Sequence, residues 1–191
     1  MLERFQRDSY LLRRKVFKLF GGAFHIYGDD DELLFYSKQK AFKLKEDIRL
    51  YSDESLSDEV LTILAQSAID FAAVYDVVDT VNDTLVGSIK REGWRSIARD
   101  EWRIFDADGN EVGIIIEDSG ALAFVRRFVS NLIPQSFIVD IAENEVCQYK
   151  QQFNPFVYKL RLQFGEDANA FDRIMSIAGS VLIAAIEGRQ N

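Results

Sequence analysis

The chain has 191 residues, 48% of them apolar, 13% aromatic and 28% charged, with a formal net charge of −8. That composition can bury a substantial core and excludes a disordered, fibrous or collagen-like chain. One cysteine, Cys147, and one histidine, His25, also exclude a disulfide scaffold and a zinc module built on Cys and His ligands.

The opening segment MLERFQRDSYLLRRK scatters its charges and has no apolar core, so no secretory leader is expected and the protein is expected to be cytoplasmic. No Gly/Ser/Pro-rich linker divides the chain, and both prolines, Pro134 and Pro155, fall late. Residues 1–191 are therefore expected to form one domain, with a core over about 9–188.

Short runs of β-branched and aromatic residues, separated by Asp, Asn and Gly clusters, predict an antiparallel all-β domain. In chain order the predicted strands are Val16–Phe20, Ala23–Tyr27, Leu33–Ser37, and Phe42–Leu44 continuing through Ile48–Tyr51. Leu61–Ala65, Ala72–Val78, Leu85–Lys90, Trp102–Phe105 and Val112–Ile116 follow. Ser136–Ile141, Glu145–Gln151 and Phe156–Leu162 complete a set of about twelve. The clearest hairpins turn at GDDDE and at DADGN. In the first, Phe24 and Ile26 alternate with His25 and Tyr27, the period of two that a strand with one buried face requires. So many strands in so short a chain favour closure into a barrel, which removes exposed sheet edges.

Three segments share the plan of a strand, an Asp-marked turn and a second strand ending in lysine: FHIYGDDDELLFYSK, YDVVDTVNDTLVGSIK and FIVDIAENEVCQYK. Aligned on Leu34, Val86 and Val146, each places a lysine four positions later, at Lys38, Lys90 and Lys150. Each lysine then either shares a face with its anchor or is separated from it by a bulge.

Two helices interrupt this pattern. From Ala121 to Leu132 the apolar residues recur at three and four, opposite Arg126 and Arg127, as on a one-sided surface helix. The second helix opens on Asn169 as cap, with Asp172 in its first turn, and closes at Gly188. Between Ile174 and Ile186 its only polar side chains are Ser176 and Ser180. This run would cover about 20 Å against roughly 30 Å of hydrocarbon, so burial inside a β structure is expected.

The stretch KQKAFKLKEDIRLYSDE, the DADGNEVGIII hairpin, the pair EVCQYKQQFNPFVYKLRL and the closing FDRIMSIAGSVLIAAIE together resemble the LURP-one-related and phospholipid scramblase-like proteins. The resemblance runs from about Ser9 to Glu187. It implies the Tubby C-terminal-like fold, in which a roughly 12-stranded antiparallel barrel encloses a hydrophobic C-terminal α-helix. Tubby domains bind phosphoinositide headgroups and scramblases associate with phospholipid and calcium. No phosphoinositide-binding residue of the family is matched to a position here. The Pro-rich arm and cysteine-rich segment of animal scramblases are not found, and the expectation is binding rather than scrambling.

The residues themselves offer three kinds of chemistry. Asp106, Asp108, Asn110 and Glu117 occupy positions one, three, five and twelve of an EF-hand loop, but Glu111 stands where the sharp turn needs glycine. A tight Asp-Gly hairpin turn accounts for the same residues. The run Asp29–Glu32 likewise reads as a solvated turn. Catalytic signatures are missing: there is no GxSxG, P-loop, dinucleotide fingerprint or HExxH, His25 reads as an outward strand residue, and Cys147 as a buried thiol. No enzyme, metal or cofactor is expected.

Basic residues are the remaining signal. Residues 1–50 hold 11 Lys and Arg against 8 Asp and Glu, whereas the remainder holds 12 against 23. Arg13, Arg14, Lys15 and Lys18 lie close together, and Lys38, Lys40, Lys43 and Lys45 alternate with Phe42 and Leu44, so that several should share a face. These eight residues are the predicted ligand-binding set. They suit an anionic phospholipid headgroup, another phosphorylated ligand or an anionic membrane surface met peripherally. A solvated outer strand face, or a surface for a protein partner, are the competing readings. The acidic balance argues against nucleic acid.

Overall fold

A computed structural model describes residues 2–15, 22–39, 47–66, 73–91, 101–118, 134–154 and 156–187. After a 3-10 turn at Leu2–Phe5 come β1 (Ser9–Lys15), β2 (Gly22–Tyr27), β3 (Leu33–Gln39), β4 (Ile48–Tyr51), β5 (Glu59–Ala65) and β6 (Val74–Asp79). They are followed by β7 (Thr84–Arg91), β8 (Glu101–Asp106), β9 (Glu111–Glu117), β10 (Ser136–Ile141), β11 (Asn144–Gln152), β12 (Val157–Phe164) and α1 (Ala170–Glu187). Each strand pairs antiparallel with its sequence neighbour, and β1 closes the cylinder against β12 from Ser9↔Gln163 to Lys15↔Val157. The expected twelve-stranded barrel with a C-terminal helix is the observed one.

The first strand lies earlier than expected. Val16–Phe20 falls outside the described residues, as do Phe42–Leu44 and the helix expected at Ala121–Leu132, while SYLLRRK forms β1. The signal is obscured because Arg14 takes an inward position in line with Tyr10 and Leu12, both fully buried. An inward arginine breaks the apolar alternation by which strands are read.

A repeated irregularity organises the wall. In five hairpins the second strand carries one extra residue opposite its partner: Leu34, Val60, Val86, Val112 and Val146. The first four stand 26 residues apart. Four of these bulges follow, by three residues, a turn residue in the left-handed region: Asp31 (φ 57°), Asp83 (51°), Gly109 (84°) and Glu143 (63°). Such a bulge shifts the register, so the next residue turns inward and the following one outward. Hence Phe35 and Cys147 are buried while Lys38 and Lys150 are exposed. Of the two arrangements open to the repeated lysines, the bulged one holds. Gly87 and Gly113 directly follow two of the bulges, where a Cβ would run into the backbone oxygens of Phe105 and Asp140.

The helix fills the cylinder. Met175, Ile177, Ala178, Val181 and Ala184 are fully buried, and α1 packs on β1, β7, β11, β12 and the 3-10 turn. At its start Asn169 Oδ1 accepts the Asp172 amide (3.1 Å), while Asp172 Oδ2 accepts the Asn169 amide (2.9 Å), a reciprocal cap. Midway, Gly179 brings the helix against Ile115 and the Tyr149 hydroxyl. That hydroxyl donates to the Ser176 carbonyl at 2.6 Å. No helix among the described residues is long and apolar enough to cross a membrane.

Because the strands run alternately up and down, every connection belongs to one of two ends. β1 starts, β2 ends and α1 starts at one; β1 ends and β2 starts at the other.

Candidate functional site

The end of the barrel at which α1 starts has strongly acidic connections. Where α1 starts, the connections read GDDDE (28–32), SDESLSD (52–58), TVND (80–83), ADGN (107–110), AE (142–143) and GEDAN (165–169), without one Lys, Arg or aromatic residue. The helix N-terminus, with its partial positive charge, sits among these carboxylates. Its opposite end is met by Arg14, whose Nη1 donates to the Ala184 carbonyl at 2.9 Å. The arginine thus complements the negative end of the dipole.

Both carboxylate candidates for calcium are accounted for by local bonds. Asp106 accepts from the backbone amides of Asp108 (3.0 Å) and Asn110 (2.8 Å) and from the Asn110 side chain. Those donors hold its carboxyl below the usual range. Glu117, the supposed twelfth ligand, lies at the far end of β9, about 20 Å from Glu111 at ~3.3 Å per residue. The EF-hand set is therefore not assembled. Around GDDDE, Arg7 reaches Glu32 at 2.9 Å, Arg13 reaches Asp31 at 3.3 Å, and Arg161 reaches Asp29 at 3.7 Å. This turn is ion-paired rather than merely solvated. Among the described residues, no group of three or more His, Cys, Asp and Glu is placed to hold a metal ion.

Beside the helix start lies a cleft of about 770 Å³, lined by Asp106, Glu145, Glu166, Asp167, Asp172 and Phe171 among others. Burial pushes the Asp172 carboxyl up, partly opposed by its bond from Asn169 and by Arg173. The cleft is acidic, and no Ser, Thr, Tyr, Cys, His or Lys is among the described residues that line it. Cys147 is buried, and desolvation pushes its thiol far up, so it carries little thiolate. His25 faces outward as expected and bonds Glu54 through Nε2 at 2.9 Å.

Of the predicted basic set, Arg13, Arg14, Lys15 and Lys38 fall among the described residues, and Arg13 and Arg14 face opposite sides of the wall. Arg13 lies on the outer wall, its guanidinium 4.6 Å over the Tyr27 ring, whereas Arg14 points inward over Phe24. Lys15 ends β1 opposite Val157, and Lys38 is exposed near the end of β3 opposite Ala23. Lys18, Lys40, Lys43 and Lys45 lie outside the described residues, in the connections that join β1 to β2 and β3 to β4.

The barrel does bring together a different set. Going round the wall, β11, β12, β1, β2 and β3 are successive neighbours. At the end away from the acidic turns they carry Lys150, Lys159, Lys15 and Lys38, with Arg13 paired directly across from Lys159. The terminal segments YKQQ, VYK, RRK, GAFH and YSKQ contain no carboxylate. The carboxylates that reach this wall come from the opposite turns, Asp31 on Arg13 and Glu54 on His25. Between β11 and β12, on the same end, Phe153 and Phe156 are 58% and 67% exposed, the two aromatic side chains among the exposed large apolar residues described. Sequence reasoning missed Lys159 and both phenylalanines as site residues. The available signal was FNPF itself, two large apolar residues in a turn, where polar residues are the rule.

Compared with protein-family models, with curated proteins and with solved structures, the chain returns no match in any of the three.

Proposed function

We propose that the protein is a non-enzymatic module that binds anionic phospholipid headgroups, peripherally, through the lysine-bearing end of the β11–β12–β1–β2–β3 wall. The observation that carries this reading is the separation of charge along the barrel axis. Lys150, Lys159, Lys15 and Lys38 stand on adjacent strands whose terminal segments at this end carry no carboxylate, while the acidic turns gather at the far end. A molecule with net charge −8 is repelled by an anionic surface on average, so only an oriented approach is attractive. Near a charged bilayer each such lysine contributes about 1 kcal/mol, within a Debye length of roughly 10 Å. Four of them are enough for weak, salt-sensitive docking. The resemblance to the LURP-one-related and scramblase-like proteins agrees with a lipid ligand.

Co-sedimentation of the full chain with phosphatidylserine-containing vesicles and with purely zwitterionic ones tests the proposal. Binding should occur only to the anionic vesicles and weaken as salt is raised. Equal binding to both, or none to either at low salt, overturns it.

A further inference from the structure

We infer that the β11–β12 hairpin tip is a membrane anchor, whose Phe153 and Phe156 side chains enter the interfacial region of an anionic bilayer while the surrounding lysines stay at the headgroups. This rests on the lipid-binding reading above and adds to it a specific inserted element. Two aromatic side chains more than half exposed at one short connection are an unfavourable surface for water to cover, and such a patch marks an interaction site. The tip is also pre-shaped. Asn154 Oδ1 accepts the backbone amides of both Phe156 and Val157 at 2.9 Å, so two donors that would resist leaving water are already satisfied.

Its neighbours select the partner. The strands that lead into and out of the tip carry Lys150 and Lys159 at its base, and β1 beside them ends in Lys15. Exposed apolar residues at the other end, Leu56 and Val81, share their turns with Asp53, Glu54 and Asp83, which an anionic surface repels. A cationic rim around exposed aromatics is the combination that an anionic bilayer satisfies, apolar depth for the rings and charge at the headgroups.

The test attaches an environment-sensitive fluorophore through Phe156→Cys, with Ser55→Cys at the acidic end as the control. Cys147 is buried and stays unlabelled. On vesicles containing phosphatidylserine, the label at 156 should shift to the blue and brighten, whereas the label at 55 should not change. In unlabelled protein, Phe153→Ser combined with Phe156→Ser should lower the affinity for those vesicles by roughly tenfold or more while leaving the melting curve unchanged. If the wild type binds anionic vesicles yet the label at 156 stays solvent-like and the serine variant binds as well, the anchor is refuted and lipid docking stands. If the wild type binds no vesicle, both are refuted. A serine variant that instead changes a dimer into a monomer assigns the tip to protein contact and overturns the anchor.

Discussion

Ile177→Asp tests whether α1 occupies the barrel interior. Ile177 is fully buried on a helix whose neighbours Met175, Ala178 and Val181 are also without solvent contact. Removing the isoleucine side chain forfeits about 1.5–3 kcal/mol of apolar burial. The nearest basic residue on the helix, Arg173 one turn earlier, is already committed to the carbonyls of Ala168 and Arg7. The new carboxyl must be protonated, which at pH 7 costs about 4 kcal/mol for a carboxyl whose unfolded pKa is near 3.9. The combined loss rivals the whole stability of a typical domain, roughly 5–15 kcal/mol. At neutral pH the variant should therefore be unfolded or show a strongly lowered urea midpoint. The sign with pH follows. The introduced group has a folded-state pKa above its unfolded value, so its charge penalty is full above the folded pKa and fades as pH falls toward about 4. Ile177→Ala, which only deletes volume, should cost about 2–5 kcal/mol with no such pH dependence. Val81→Asp, at a position 59% exposed, should change stability by no more than about 0.5 kcal/mol. Urea unfolding followed by circular dichroism measures all three. If Ile177→Asp melts as cooperatively as Val81→Asp and within about 1 kcal/mol of wild type, the helix does not fill the barrel.

Further outcomes follow from the same packing. Gly113→Ala should destabilise by about 1–3 kcal/mol in urea titration, because the added methyl meets the Asp140 carbonyl oxygen and lies 2.8 Å from Ile141 Cγ1; an unchanged midpoint would contradict the tight register after the Val112 bulge. Asp172→Ala should lose about 1 kcal/mol of helix capping, whereas Asp172→Asn keeps an acceptor for the Asn169 amide. Since burial raises the Asp172 pKa, its charge lowers stability once pH rises past the unfolded value near 3.8 and through the folded one. Wild-type stability relative to Asp172→Asn should accordingly decline across that window, and parallel curves would refute the shift. Arg14→Leu should destabilise by about 1–3 kcal/mol through loss of its bond to the Ala184 carbonyl, while Arg13→Leu on the outer wall should cost under about 1 kcal/mol; equal effects would contradict their placement on opposite faces.

The fold was largely legible because closure and burial leave periodic traces. The apolar run from Ile174 to Ile186 implied a surrounded helix, and alternation marked most strands. Reading failed where one residue served two demands. Arg14 faces inward to meet a helix terminus, which disguised β1 as a charged lead-in. The bulges at Leu34, Val60, Val86 and Val112 recur at equal spacing, yet only the Leu34 and Val86 hairpins share a terminal lysine, so half of the period was seen. The site was less legible for a topological reason. Lys150 and Lys159 are remote in sequence from Lys15 and Lys38, and only the closing β1–β12 pair makes them neighbours. The charge asymmetry read along the chain is an indirect trace of one that runs along the barrel axis.

The most direct test of the account reverses charge at each end and measures binding to anionic vesicles at low salt. Lys150→Glu combined with Lys159→Glu should abolish detectable binding, whereas Asp108→Lys combined with Glu166→Lys, in exposed turns at the acidic end, should leave the docked orientation and the affinity of the lysine end nearly unchanged. Equal losses from both pairs, or binding that survives reversal of Lys150 and Lys159, would contradict an oriented lipid-docking barrel.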